Sequence, residues 1–300
     1  MLFRSACPGR SGAPPGRYND LPARSWLIRT GKLVLESVAR NKAGAGGNLA
    51  HDTVAHAPSD GYTMLFSPGS LPIMPLLFSS LSYDPIADLA PVSLIGNYPN
   101  LVVVSPGSPI KTLKDYLDAA KANPGKVTFA TPGIGTTPHF AAELLKKMAN
   151  VDITHVPYRG GAPAMTDLIA GRIDYWCPFS TTAMPQIAGN TVKPIAIFAL
   201  QRLAVLPELR TAHEQGLANF EASTWNALFA PKGTPPTIVQ KLHEATVQAV
   251  ATPSSAERLR ELGMSPAAPD RRSPEFLAKF VRDEIVKWEG PIKASGLSVE

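Results

Sequence analysis

The sequence predicts an α/β protein of two domains, and three observations carry that prediction. Its 300 residues approach the size at which one hydrophobic core stops growing and a chain divides. Hydrophobic residues make up 44% and charged residues only 18%, a composition that fills cores and excludes disorder. From residue 101 onward, short apolar runs alternate with helical segments through short connections, the pattern of a parallel sheet covered by helices.

Residues 101–104, Leu-Val-Val-Val, form the continuous apolar run of a strand buried on both faces. Thr112 caps a helix to about residue 122, with Asp115 three positions on, and Asn123-Pro124-Gly125 ends it. Residues 127–130 are the next strand, 131–137 a loop, and Pro138 suits the first turn of a helix to about 149. A strand at 153–156 leads into Tyr158-Arg159-Gly160-Gly161. A helix at 163–170 stops at Gly171, and a strand follows at 173–177. A short helix at 184–188 and a strand at 194–198 complete the series.

The flanks read as a second unit. A strand at 62–66 ends in Ser67-Pro68-Gly69-Ser70, and one at 225–230 enters a proline-rich turn. Thr234 caps the helix after that turn, which runs to about 250. In the last helix, 273–288, Phe276, Leu277, Phe280, Val281 and Ile285 recur at helical spacing and mark a core-facing stripe. Residues 1–42 are atypical: 1–13 lack the β-branched run of a strand, and 20–40 keep a helical stripe only in part.

Charge argues against nucleic acid as a partner. The net charge is +5, but residues 1–42 hold 8 Lys/Arg against 2 Asp/Glu, leaving 21 against 22 elsewhere. A nucleic-acid binder needs its basic surface on the folded domain. The cysteines, Cys7 and Cys177, form no C-x-x-C pair, so no structural zinc site is expected. No apolar run approaches the ~18 residues of a membrane helix. Arg4 and Arg10 interrupt the N-terminus, and no apolar export-signal segment is seen there.

The stretch Thr131-Pro132-Gly133-Ile134-Gly135-Thr136-Thr137-Pro138-His139 carries the most chemistry. It leaves a strand and opens a helix, where unpaired amides and the helix dipole favour an anion. The glycines equally serve a tight turn, and Thr137 a cap; the crowding of small and hydroxylated residues favours binding. Gly133-x-Gly135-x-x-Pro138 has proline where a dinucleotide fingerprint needs Gly or Ala, and no Gly-Lys-Ser/Thr follows for a P-loop. G-x-S-x-G and H-E-x-x-H are absent. His139 and Glu143 share an i, i+4 spacing, but a lone pair does not make a metal site. Tyr158 offers a hydroxyl and a flat wall, Arg159 a charge, and Asp174 a carboxylate within a strand.

At these residues the chain resembles the extracytoplasmic solute receptors of tripartite tricarboxylate transporters, also called the Bug family. The matching stretches include Ala43-Gly44-Ala45-Gly46-Gly47-Asn48, Ala57-Pro58-Ser59-Asp60-Gly61-Tyr62-Thr63 and Tyr83-Asp84-Pro85. To these add the 131–139 loop, Val156-Pro157-Tyr158-Arg159-Gly160-Gly161, Gly171-Arg172-Ile173-Asp174 and Phe229-Ala230-Pro231-Lys232-Gly233-Thr234-Pro235, in uninterrupted order from about residue 43.

The resemblance implies a hinged, two-domain periplasmic binding-protein fold of type II, a Venus flytrap. One domain combines residues 1–100 with 226–300, and the other is 101–225. It implies a non-enzymatic, monomeric periplasmic receptor without cofactor or metal. The receptor captures a dicarboxylate, tricarboxylate or acidic amino acid and delivers it to a membrane permease. The alternatives are a nucleotide-dependent α/β enzyme and a ligand sensor without transport. Within the family pattern, Thr136, Thr137 and the backbones of Gly133 and Gly135, in the loop that ends at His139, hold one carboxylate. Tyr158 and Asp174 shape the same wall, with Asp174 placed to meet an ammonium. Tyr18, Asn19, Ser67 and Gly69 close from the other domain. The chain departs from the pattern at Arg17, which replaces a glycine in the 14–20 loop, and at Ala43, which replaces a proline.

Overall fold

The computed structural model describes residues 42 and 44–295, together with the backbone of 2–6, 25–30 and 33–40. Strands β1 (Leu2–Ala6), β2 (Ser25–Thr30) and β3 (Leu33–Arg40) come first, then α1 (Asn48–Ala55), β4 (Thr63–Pro68), α2 (Met74–Leu77) and β5 (Leu89–Pro99). The middle of the chain forms β6 (Leu101–Val104), α3 (Leu113–Ala122), β7 (Thr128–Thr131), α4 (Thr137–Ala149) and β8 (Thr154–Pro157). It continues through α5 (Gly161–Ile169), β9 (Tyr175–Trp176), α6 (Ser180–Ala188) and β10 (Lys193–Ile197). The last part is β11 (Ser223–Pro231), α7 (Pro236–Ala251), α8 (Pro253–Glu261), β12 (Ser265–Pro266) and α9 (Pro274–Ser295).

The strands form two sheets, ordered β12-β5-β11-β4-β1-β3-β2 and β10-β6-β9-β7-β8. The second sheet is covered on both faces. Val102 and Val104 point into one core with Tyr116, Phe129, Leu145 and Tyr175. Leu101 and Val103 point into the other with Ala130, Leu168, Trp176 and Ile197. Strand side chains alternate between faces, so only a continuous apolar run fills both cores. The capping box of α3 also forms: Asp115 N–H donates to Thr112 Oγ1 (3.1 Å), and Thr112 N–H donates to Asp115 Oδ2 (3.0 Å).

Three expectations are corrected. The second sheet is mixed rather than parallel: β7 runs parallel to β8 and β9, whereas β6 pairs antiparallel with β9 and β10. Strand direction depends on which strands become neighbours, and local sequence does not specify that. Residues 2–6, read as lacking a strand, pair antiparallel with both β3 and β4. Backbone ladders of this kind need no β-branched run. Strands 25–30 and 33–40 form an antiparallel pair rather than a helix. Trp26, Ile28, Val34 and Val38 are strand formers, and they outweigh a partial helical period.

The chain passes between the sheets at Asn100 and again at Ala222. There Asn100 N–H donates to Ala222 O (3.0 Å), and Ala222 N–H donates to Phe198 O (3.0 Å). Strand β11 starts at Ser223, so residues 223–225 join the first sheet, ahead of the 225/226 boundary read from sequence. The first sheet packs Leu65, Leu94, Trp225 and Phe229 against Ala50 and Val54 of α1 and Leu277 and Val281 of α9. A smaller cluster joins the two halves: Ile73 and Leu77 from the first, Phe140 from α4, and Ile292 from α9.

Candidate ligand-binding cleft

The parallel strands β7, β8 and β9 end at the same edge, and the loops that leave them supply Pro132, Thr136, Gly160 and Phe179 to one wall of a cavity of about 170 Å³. Gly44, Gly46, Gly47, Pro68 and Ser70 form the facing wall from the first sheet. Crevices outside the carboxyl ends of parallel strands are where open α/β sheets bind ligands.

The cavity is a meeting point of helix starts. Gly47 is the N-cap of α1, Thr136 of α4, Gly160 of α5 and Phe179 of α6. Ser70 opens the short helical turn Leu71–Ile73. None of these ends is capped by a side-chain hydrogen bond. Four α-helices therefore direct their positive ends at one volume, while in the first turn of α4 Pro138 has no N–H and His139 N–H donates to Thr136 O (2.9 Å). The hydroxyls of Ser70 and Thr137, one from each wall, are buried without a partner. Among the described residues that line it none is ionisable, so fixed dipoles and hydroxyls make this part of the site receptive to an anion.

The two walls touch through glycine. Gly46 adopts φ +64°, and a Cβ there would stand 2.7 Å from Ile134 O. A Cβ on Gly133 would stand 3.3 Å from Gly46 N. Only hydrogen at both positions permits this backbone approach.

Behind the first wall, His51 links two elements. Its Nε2 meets Ser67 Oγ (2.9 Å) and its Nδ1 meets Tyr83 OH (3.0 Å). Complete burial lowers the His51 pKa to about 3, so the ring is neutral.

The structure reassigns several sequence-predicted residues. Thr136 and Thr137 line the cavity, but Thr136 Oγ1 donates to Gly133 O (2.7 Å), which leaves Thr137 with the open hydroxyl. Gly133 and Gly135 shape the loop without presenting their amides: Gly133 N–H goes to Thr131 Oγ1 (3.3 Å) and Gly135 N–H to His139 Nδ1 (3.4 Å). His139 lies behind the wall. Ser67 is committed to His51 and to Pro68 O, and Gly69 N–H donates to Thr224 Oγ1 (3.2 Å). The cavity-facing hydroxyl lies one residue further along, at Ser70.

Tyr158 OH donates to Asp167 (2.8 Å), and burial, then that carboxylate, raises the tyrosine pKa to about 12. Asp167 also accepts from Arg172 Nη1 (2.9 Å). Asp174 precedes β9, where its Oδ2 accepts Thr128 N–H (2.7 Å) and Thr128 Oγ1 (2.7 Å), at the opposite end of β7 from the cavity. The strand there is only Tyr175–Trp176, shorter than its apolar flanks suggest. Glu143 pairs with Lys146 (3.3 Å), not with His139. Tyr18 and Asn19, like Cys7 and the rest of the 14–20 loop, lie outside the described residues.

The wall formed by Gly44, Gly46, Gly47 and Ser70, and Gly160 in the wall opposite, were missed as chemistry. Their signal was the glycine density of the 43–48 and 158–161 stretches. A larger opening, about 340 Å³, is walled mainly by Pro75, Phe78, Leu81, Pro85, Ile86 and Ile285. Its carboxylate, Asp84, already accepts the amides of Ile86 and Ala87, and an acid repels an anion. The smaller cavity is the candidate site.

Among the described residues no helix is long and apolar enough to cross a membrane. The profile described as tripartite tricarboxylate transporter family receptor matches residues 29–297. The fold is similar to that of the periplasmic binding protein BugD, with TM-score 0.82, 31% identity and 87% of each chain covered. A Rhodopseudomonas palustris protein with adipate is 32% identical, with TM-score 0.81 over 86% of each chain. MatC of the same organism, with bound malate, is 35% identical, with TM-score 0.77 over 83% of this chain and 85% of that one. The chain is an α/β protein of periplasmic binding-protein fold, and it belongs to the tripartite tricarboxylate transporter receptor family, whose members are solute-binding receptors rather than enzymes.

Proposed function

We propose that this receptor captures a small dicarboxylate between its two sheets, each carboxylate received by helix N-termini from one wall. The carrying observation is the convergence of α1, α4, α5 and α6 on a cavity whose described lining has no ionisable side chain. Thr137 Oγ1 and the first turn of α4 receive one carboxylate. Ser70 Oγ and the first turn of α1 receive the other. Among the described lining residues no carboxylate awaits an ammonium, which favours a dicarboxylate over an amino acid. The relatives solved with adipate and malate support the same class.

In this reading residues 101–222 and the remainder act as two lobes hinged at Asn100 and Ala222, and ligand closes them. A monomer suffices, because both walls come from one chain. The receptor works in the periplasm and hands its ligand to a membrane permease.

Thermal-shift titration with malate, adipate, acetate, aspartate and ATP tests the reading. A ligand present at about 100 times its Kd adds about 2.7 kcal/mol of stability. Stabilisation by malate or adipate, well above that by acetate or aspartate, is the expected result. A shift with ATP and none with either dicarboxylate overturns it.

A further inference from the structure

Two histidines, His139 buried and His155 half-buried, stand behind the 131–137 loop without lining the cavity. His139, in the first turn of α4, is 2% exposed. Its ring stacks on His155 of β8, with centroids 4.4 Å apart and planes at 19°. His155 stacks in turn on Phe129 of β7 (4.7 Å, 17°). The pair grips the loop at both ends. His155 Nε2 meets Thr131 Oγ1 at 2.6 Å, and that hydroxyl lies 3.3 Å from both the amide and the carbonyl of Gly133. At the other end His139 Nδ1 accepts Gly135 N–H.

Resting on the receptor reading above, we propose that His139 is a positioning residue for anion capture: by accepting the Gly135 amide while stacked on His155, it holds the glycine turn in its binding shape before ligand arrives. A turn with two glycines in seven residues is otherwise costly to order, and that cost falls on affinity. The acceptor role requires a bare Nδ1, so the ring is neutral with its proton on Nε2. Burial first, then His155 and Lys146, lower the His139 pKa to about 3; burial and Lys146 lower that of His155 to about 4. Lys146 lies on α4, paired with Glu143.

The test separates ring from acceptor. His139→Phe keeps an aromatic ring against His155 and removes the acceptor. His139→Asn puts an amide oxygen near the Nδ1 position and gives up the stack. Two readouts apply: hydrogen exchange of the Gly135 amide in the ligand-free protein, and calorimetric Kd for malate and adipate.

His139→Phe should speed Gly135 exchange and weaken binding, each about tenfold, while His139→Asn stays within about threefold of the parent in both. Thr131→Val, which removes the hydroxyl partner of His155, should speed exchange at Gly133 and Gly135, and it carries the test should His139→Phe fail to fold. Unchanged Gly135 protection in His139→Phe, or His139→Asn no better than His139→Phe, overturns the proposal. If the parent binds neither dicarboxylate, the receptor reading fails, and the exchange comparison alone decides the role of His139.

Discussion

The two walls of the cleft solve one problem with different materials. The second-sheet wall is built mainly on one loop, residues 131–137, with Gly160 and Phe179 added from the loops after β8 and β9; the glycine amides of the main loop are spent on Thr131 and His139, and its open group is Thr137 Oγ1. The first-sheet wall is assembled from two separate segments, Gly44–Gly47 and Pro68–Ser70, fastened through His51 and Ser67. Each wall is backed by a buried neutral histidine near the start of its main helix. The main loop of the second-sheet wall announces itself in sequence, as a glycine loop between a strand and a helix. The assembled wall does not, because its parts become one surface only when β4 and α1 pack together.

The comparison breaks most sharply at Gly46. Gly46→Ala places a Cβ 2.7 Å from Ile134 O and strains a left-handed backbone, so the walls cannot meet. Malate or adipate affinity should fall about 100-fold by calorimetry, well beyond the ~1 to 2 kcal/mol of stability lost to the strained residue itself. Retained affinity would mean that the walls need not touch.

Acidification comes next. A histidine whose folded pKa lies below its unfolded value of about 6.5 costs nothing above that pH. The unfolded chain gains protons as pH falls below 6.5, so stability declines until about pH 3. Between pH 7 and pH 5, His51 and His139 should each remove about 2 kcal/mol from the free energy of urea unfolding. A parallel loss in His51→Phe or His139→Phe would break that assignment.

The two unpartnered hydroxyls then test whether the walls contribute equally. Ser70→Ala and Thr137→Val should each weaken dicarboxylate binding about tenfold while leaving the melting temperature of the ligand-free protein unchanged or slightly higher. A loss confined to Thr137→Val would assign the anion to the second wall alone.

Smallest of all, Asp174→Asn and Tyr158→Phe should change affinity by less than about twofold. Tyr158→Phe, which gives up its bond to Asp167, should cost about 1 kcal/mol of stability. A large affinity loss in either would return these residues to the site.

Much of the fold was legible because its signals are local. The four-residue apolar run 101–104 can be satisfied only between two cores, and Thr112 with Asp115 forms the box that its spacing specifies. The 131–139 loop was equally legible as a strand-to-helix turn, and it does line the cavity through Pro132, Thr136 and Thr137. Assigning individual donors was less reliable. Thr136, Gly133 and Gly135 stand in the right loop with their polar groups turned inward, and Ser67 stands three residues from the hydroxyl that faces the cavity. Direction within a loop is set by hydrogen-bond partners that arrive from elsewhere, such as His155 and His51.

By itself, then, the sequence determined the alternation of strand and helix, the helix starts and the glycine loop between β7 and α4, all consequences of spacing within a few residues. Tertiary structure alone decided which strands run antiparallel, that Asp174 faces the far end of its sheet, and that five separate chain segments converge on one small cavity. Those outcomes depend on contacts between residues tens to more than a hundred positions apart, and no local pattern encodes them.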